Sequence, residues 1–211
     1  MIETEEQARS YLGDMVPSGS LVKFEQLETL LAEENARQNL VSRGTLTEVW
    51  VRHFADSAQL VGLAPANPVN WLDLGTGAGF PGLIVALLSP DTSVVCVESR
   101  KLRCQWLERA ATVLALTNVT IRNVRIEDMA TQKFGVISAR AFAPLDKLLS
   151  LSARFSTPDT YWVLPKGASA KQELAKSGNG AASMFHVEQS ITSPDAGIIV
   201  GRLNGQRDRS G

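Results

Sequence analysis

The sequence lacks an apolar run long enough to cross a membrane. Its longest, Leu83 to Leu88, covers six residues, where a spanning helix needs about 20. It also lacks the features of a secretory signal. The opening "MIETEEQARSYLG" is acidic, with no basic stretch leading into an apolar core. Cysteine is scarce: Cys96 and Cys104 are the only two, a spacing that suits neither a metal site nor a disulfide framework. Histidine is equally scarce, with His53 and His186 far apart. No metal is expected, and a reducing, cytoplasmic setting is. Finally, the net charge is only -1, so the whole molecule shows no polycationic character. The charge is uneven, however. Residues 1–69 carry 5 Lys+Arg against 10 Asp+Glu, while the remainder is mildly basic. That distribution permits a local positive face.

What is present is a chain of 211 residues, 44% hydrophobic, long enough for one domain with an appendage. Three helical stretches come first: a weak one over Glu3 to Met15, then "SLVKFEQLETLLAEENARQ", then "TLTEVWVRHFADSAQLVGL". The second puts Leu21, Phe24, Leu27, Leu30 and Leu31 on one stripe. The third reads as one helix opened by a Thr45/Glu48 capping box, with Leu46, Val49, Trp50, His53, Phe54 and Leu60 inward. "APANPVN" is a Pro/Asn-rich connector. It divides an N-terminal helical cap, residues 1–65, from a second domain, residues 66–205, and a tail, residues 206–211.

Beyond the connector, strand and helix patterns alternate. "VNWLDLG", "TSVVCVES", "NVTIRNV", "FGVISAR" and "TYWVLPKG" read as strands; "PGLIVALLS", "KLRCQWLERAATVLAL" and "PLDKLLSLSARF" read as helices. This predicts a doubly wound α/β sheet. "SMFHVEQSI" and "GIIVGRL", joined by "TSPDA", predict a closing antiparallel hairpin, hence a mixed seven-stranded Rossmann-like sheet. Trp50, Trp71, Trp106 and Trp162 sit in apolar patterns and are expected in the core.

The chemistry concentrates in "WLDLGTGAGFPG". Its glycines fall where the first strand must turn sharply into a helix, the place where open α/β sheets bind ligands. Gly77, Gly79 and Gly82 formally satisfy a dinucleotide pattern. Asp73, two residues before Gly75, would repel a pyrophosphate but suits the cationic sulfonium and ammonium of S-adenosylmethionine. Glu98 ends the next strand, where it can take both ribose hydroxyls, and "RIEDM" offers Glu127 near an adenine edge. These residues, with the closing hairpin, favour S-adenosylmethionine and a class I methyltransferase fold over a dinucleotide.

The acceptor is reached by elimination. After the fourth strand stands "SARAFAPL", not the N/D-P-P-Y/F string of amino-group methylases, and neither cysteine is placed as a nucleophile. A site with no evident base suits an acceptor with a free lone pair, such as guanine N7. A small-molecule methyltransferase of the same fold, or a non-catalytic S-adenosylmethionine-binding module, stays open on these residues alone.

Six strings together resemble the bacterial small-subunit ribosomal RNA guanine-N7 methyltransferase family, once called glucose-inhibited division protein B: "RQNLVS", "RHFADSAQL", "DLGTGAGFPGL", "ESRKLRCQWLE", "ISARAFAPLDKLL" and "VLPKG". The resemblance spans nearly the whole chain. It implies an S-adenosyl-L-methionine-dependent enzyme acting on small-subunit (16S) ribosomal RNA or a ribosomal particle; the chain is expected to be a monomer. It implies cofactor contacts by Gly75, Phe80, Ile126, Glu127 and Arg140, beside Asp73, Gly77, Gly79 and Glu98 from the pattern above. It also implies acceptor-side roles for Arg140, His53 and Asp56.

Plainer roles stand beside these. His53 sits on an apolar stripe, and Asp56 could fix its tautomer or pair with Arg52 across a helix turn. Asn39 suits the end of the preceding helix. Arg52, Arg100, Lys101, Arg103 and Lys166 are the candidate RNA contacts, with Arg122 and Arg125 extending the basic run.

Overall fold

Short runs, several of them rich in Val and Ile, form the sheet. The strands are β1 (Asn70–Leu74), β2 (Ser93–Glu98), β3 (Val119–Asn123), β4 (Val136–Ala139), β5 (Tyr161–Gly167), β6 (Phe185–Gln189) and β7 (Gly197–Gly201). In the computed structural model, which describes residues 1–16, 21–178 and 180–203, they make one seven-stranded sheet in the order β3-β2-β1-β4-β5-β7-β6. The first five are parallel, and β7 runs antiparallel to both β5 and β6. The expected doubly wound sheet with a closing hairpin is therefore present. Its order reverses between β1 and β4, so the loops after those strands flank the crevice where such sheets bind ligands. The expected tail, residues 206–211, lies outside the described residues.

Helices cover both faces. The N-terminal segment contributes α1 (Glu5–Met15), α2 (Val22–Gln38), α3 (Arg43–Leu46) and α4 (Asp56–Leu63). The α/β part adds α5 (Gly82–Leu88), α6 (Lys101–Val113), α7 (Leu145–Ser152), α8 (Ala170–Lys176) and α9 (Ala181–Met184). One face carries α5 and α6, whose Leu83, Ile84, Trp106 and Leu107 share a core with Phe24, Leu27, Trp50 and Phe54 of the cap. The cap is thus built onto the sheet's helical layer. The other face packs α7 and α8 on Leu72, Leu74, Ile137 and Trp162. All four tryptophans are buried, as their apolar settings imply. Asn39 ends α2 in the left-handed conformation at φ 46, the geometry asparagine tolerates.

The third helical stretch differs from its pattern. It is not one helix opened by Thr45 and Glu48. Ser42 caps the short α3, its Oγ accepting from Thr45 N. A turn follows, and Trp50–Ala55 winds as a π-helix before α4. The wide turn is capped from a distant part of the chain: the Glu5 carboxylate accepts from Trp50 N at 3.1 Å and Val51 N at 3.0 Å. That partner is forty-five residues away, so local spacing could not reveal it. The widened turn also brings Val51 inward beside Trp50. The polar stretch that follows β5 forms two further helices, α8 and α9, that its pattern does not announce.

Candidate cofactor and acceptor site

The loop between β1 and α5 is built around a buried carboxylate. Asp73 and Ser138 are register partners on β1 and β4. Ser138 Oγ donates to Asp73 Oδ1 at 2.8 Å, and Trp71 Nε1 donates to Ser138 Oγ at 2.8 Å. The other oxygen, Oδ2, accepts from Gly82 N at 2.9 Å. A Cβ on Gly82 would collide with Cys96 Sγ and come within 2.9 Å of that same Oδ2, so only glycine lets the chain close on the carboxylate. Asp73 is 0% exposed and lines neither cavity described below. Burial raises its pKa to about 6, against the hydrogen bonds from Ser138 and Gly82 that favour the ionised form. The expectation that Asp73 faces a sulfonium is corrected: both oxygens are spent inward, tying the loop to the sheet.

Two cavities open at the strand ends. The smaller, about 380 Å³, is lined by Gly75, Glu98, Arg103, Arg125, Ile126 and Glu127, among others. The larger, about 680 Å³, includes Arg52, His53, Asp56, Arg140, Lys166 and Asp195 in its wall. Ala141 and Phe142 line both. Gly75 takes φ 64, and a Cβ there would strike the Phe142 ring; glycine is needed for both reasons. Gly77 and Gly79 also take positive φ, 60 and 102, without lining either cavity. Ala141 takes φ 51, a left-handed conformation rare for alanine and a mark of a constrained loop.

Glu98 is buried at the mouth of the smaller cavity. Its Oε1 accepts from Arg100 N at 2.8 Å, and Arg103 Nη1 stands 3.7 Å from Oε2. Across from it, Ile126 and Glu127 form a single 3-10 turn. Arg140, the residue after β4, reaches back to the π-helix. Its Nη1 is 3.3 Å from Arg52 O and 3.5 Å from Asp56 Oδ2, and its Nη2 is 3.2 Å from His53 Nδ1. The π-turn aids this: Asp56 N bonds Val51 O, one residue earlier than α-helical pairing would choose. Asp56 is held in turn by Thr192 Oγ1 at 2.8 Å and Gln59 Nε2 at 3.0 Å, both on Oδ1. Burial, then the charges of Arg140 and Arg52, push the His53 pKa down to about 3, so the ring is neutral.

A profile of the family described as rRNA small subunit methyltransferase G matches residues 20–197. The chain belongs to that family. The Ribosomal RNA small subunit methyltransferase G of Novosphingobium aromaticivorans is 54% identical over 95% of this chain and 89% of its own length. That of Erythrobacter litoralis is 52% identical over 96% of this chain and 98% of its own. Among solved structures, a methyltransferase from Geobacter sulfurreducens superposes with a TM-score of 0.62 at 15% identity, covering 92% of this chain and 94% of that one. This last likeness concerns the fold, that of class I methyltransferases.

The methyl donor of the rRNA small subunit methyltransferase G family is S-adenosyl-L-methionine, and the residues present fit it. The positive-φ turn at Gly75 brings bare backbone to the wall of the smaller cavity beside Phe142, and Glu98 offers a carboxylate at the end of β2. The remaining predicted residues divide. Gly75, Glu98, Ile126 and Glu127 line one cavity together, while Arg140, His53, Asp56 and Arg52 line the other. Phe80 does not reach either: it is 2% exposed, stacked on His53 at 5.1 Å and 9°, so its ring belongs to the core joining cap and loop. Lys166 is no free cation. Its Nζ donates to Ala143 O at 2.6 Å and pairs with Glu173 at 3.0 Å. Arg103 and the exposed Arg100 both line the smaller cavity with Glu98, whereas the exposed Lys101 lines neither cavity. Asp56 pairs with Arg140, not Arg52. Sequence reasoning missed Phe142, Ala141, Glu173 and Thr192. Only Phe142, an aromatic beside Arg140 at the fourth strand end, carried a local signal.

Proposed function

We propose that the chain transfers the methyl group of S-adenosyl-L-methionine to N7 of a guanine in small-subunit (16S) ribosomal RNA. The observation that carries this is the wall shared by the two cavities, Ala141 and Phe142, flanked by Arg140. In this reading the smaller cavity takes the adenosine, with Glu98 on the ribose and the Ile126–Glu127 turn along the base. The larger cavity takes an unstacked guanine. When bound, the cofactor supplies an electrophilic methyl carried on a sulfonium.

The protein then has little proton chemistry to do. Guanine N7 presents an in-plane lone pair and no proton, so the site needs alignment and electrostatics. His53 suits that: it is neutral, and its Nδ1 is occupied by Arg140. We assign His53 and Asp56 as positioning residues for Arg140, and Arg140 as the group facing cofactor and acceptor. Asp56 and Asp195 in the same wall suit the cationic methylated guanine. Arg52, exposed at the larger cavity, and the exposed Arg100 and Lys101 suit RNA phosphates. Among the described residues no helix is long and apolar enough to cross a membrane. The enzyme is expected to act in the cytoplasm, as a monomer, on free RNA or on a ribosomal particle.

The test uses labelled S-adenosylmethionine with small subunits and protein-free RNA from cells lacking the gene. Methyl incorporation is followed by borohydride and aniline, which cut at N7-methylguanine. Incorporation with one new scission site supports the reading. Label without scission overturns the N7 assignment, and no label in RNA overturns the substrate.

A further inference from the structure

We propose that Arg154 is a positioning residue for the adenosine half of the cofactor cavity. It stands in the 3-10 turn Ala153–Phe155 that follows α7, twenty-five or more residues from the segment it holds. Its Nη2 donates to three carbonyls: Ile126 O, Glu127 O at 3.0 Å and Met129 O at 2.9 Å. The guanidinium also lies 4.6 Å over the Phe155 ring, and Phe155 is fully buried. One cation on a rigid base therefore gathers the carbonyls of the very turn that lines the smaller cavity.

The turn has few other anchors. Ile126 and Met129 are buried, while Arg125, Glu127, Asp128 and Ala130 are exposed. No helix or strand is formed between the turn and β4. Three convergent carbonyl dipoles repel one another unless a donor sits among them, and a charged donor holds them better than water does. With Arg154 in place the Ile126–Glu127 backbone is set before ligand arrives, and binding does not have to order it. Lys133, whose Nζ donates to Arg154 O and Ser156 O at 2.9 Å each, braces the same 3-10 turn without touching the Ile126–Glu127 backbone.

The inference rests on the reading that the smaller cavity holds adenosine, and the experiment separates the two. S-Adenosylhomocysteine binding to the full chain is measured by calorimetry for the wild type, Arg154→Ala, Arg154→Lys, Lys133→Ala and Glu98→Gln, each checked for its melting temperature. Arg154→Ala should raise Kd about tenfold and raise KM for the cofactor alike. Its kcat at saturating cofactor and its KM for RNA should stay within about twofold of wild type. Arg154→Lys should recover part of the loss, since an ammonium can still donate to the carbonyls, and Lys133→Ala should bind as wild type. If Glu98→Gln binds as tightly as wild type, the cavity assignment fails. If Glu98→Gln weakens binding but a folded Arg154→Ala does not, the role of Arg154 fails. Should Arg154→Ala not fold, Arg154→Lys decides: a folded lysine variant with a wild-type Kd and cofactor KM overturns the proposal, and a raised Kd with unchanged kcat supports it.

Discussion

Arg140 Nη2 stands 3.2 Å from His53 Nδ1. Arginine can only donate, so the imidazole accepts at Nδ1 and carries its proton on Nε2. The pair joins the loop after β4 to the π-helix of the cap, and Asp56 closes the arrangement from the same segment. This wall of the larger cavity is therefore made by two parts of the chain that meet only in the fold.

Removing the guanidinium should be severe. Arg140→Ala is expected to lower kcat/KM about 100-fold, and Arg140→Lys to recover little, because one ammonium cannot reach three acceptors as the planar fork does. Asp56→Asn should cost about tenfold. Steady-state kinetics on small subunits check all three. Because His53 stays neutral, kcat should be level from about pH 6.5 to 8.5. A limb near the ordinary histidine pKa that vanishes in His53→Asn would count against this assignment.

Gly75 and Phe142 should couple. Gly75→Ala forces an L side chain into φ 64 and against the Phe142 ring, and is expected to weaken cofactor binding about tenfold or more. Phe142→Ala removes the collision but not the backbone strain. The double variant should thus bind better than Gly75→Ala alone, with a coupling of about 1 kcal/mol. Calorimetric titration of the four proteins measures it, and strict additivity would sink the idea.

Asp73 should leave its mark on stability against pH. Its pKa is raised from 3.8 to about 6 in the fold, so between those values the folded state binds more protons than the unfolded. Its contribution is full below the unfolded pKa and is lost as pH rises through 6. Asp73→Asn lacks that loss. The stability of the variant minus that of wild type should therefore climb with pH, by at most about 1.4 kcal/mol per unit between roughly pH 4 and 6. Urea melts across that range check the sign. His53 works the opposite way: with its pKa pushed down to about 3, its contribution fades as pH falls below 6.5.

Lys166 should behave as a scaffold residue. Its side chain is 7% exposed and held by Glu173 and Ala143 O. Lys166→Met leaves Glu173 without its cation, and is expected to lower the melting temperature by about 5 °C. The slope of RNA affinity against salt should not move. Arg52→Ala, by contrast, should reduce that slope by about one unit with little change in melting temperature.

Much of the fold was legible because it follows from local pattern. Beyond the Pro/Asn-rich connector, apolar runs alternate with amphipathic stretches, and each strand or helix read there is present with shifted ends. The glycine loop was equally plain, since positive φ and close approach demand glycine whatever lies around it. What failed was partnership. The single helix over residues 45–63 breaks because Glu5, far away in sequence, caps the π-helix. The polar stretch after β5 hid α8, whose Glu173 faces Lys166.

The sequence by itself determined the alternating architecture, the ligand edge of the sheet and the residue types gathered there, because propensity, periodicity and backbone restriction act over a few neighbours. Only the tertiary structure decided the direction each side chain takes. Asp73 turns inward because Ser138 lies beside it in register and Gly82 closes over it. Phe80 turns away from both cavities because His53 offers a flat, buried face. Arg140 turns toward the cap because Asp56 and His53 wait there. Those choices depend on burial and on charges brought together from distant segments, which spacing along one chain does not encode.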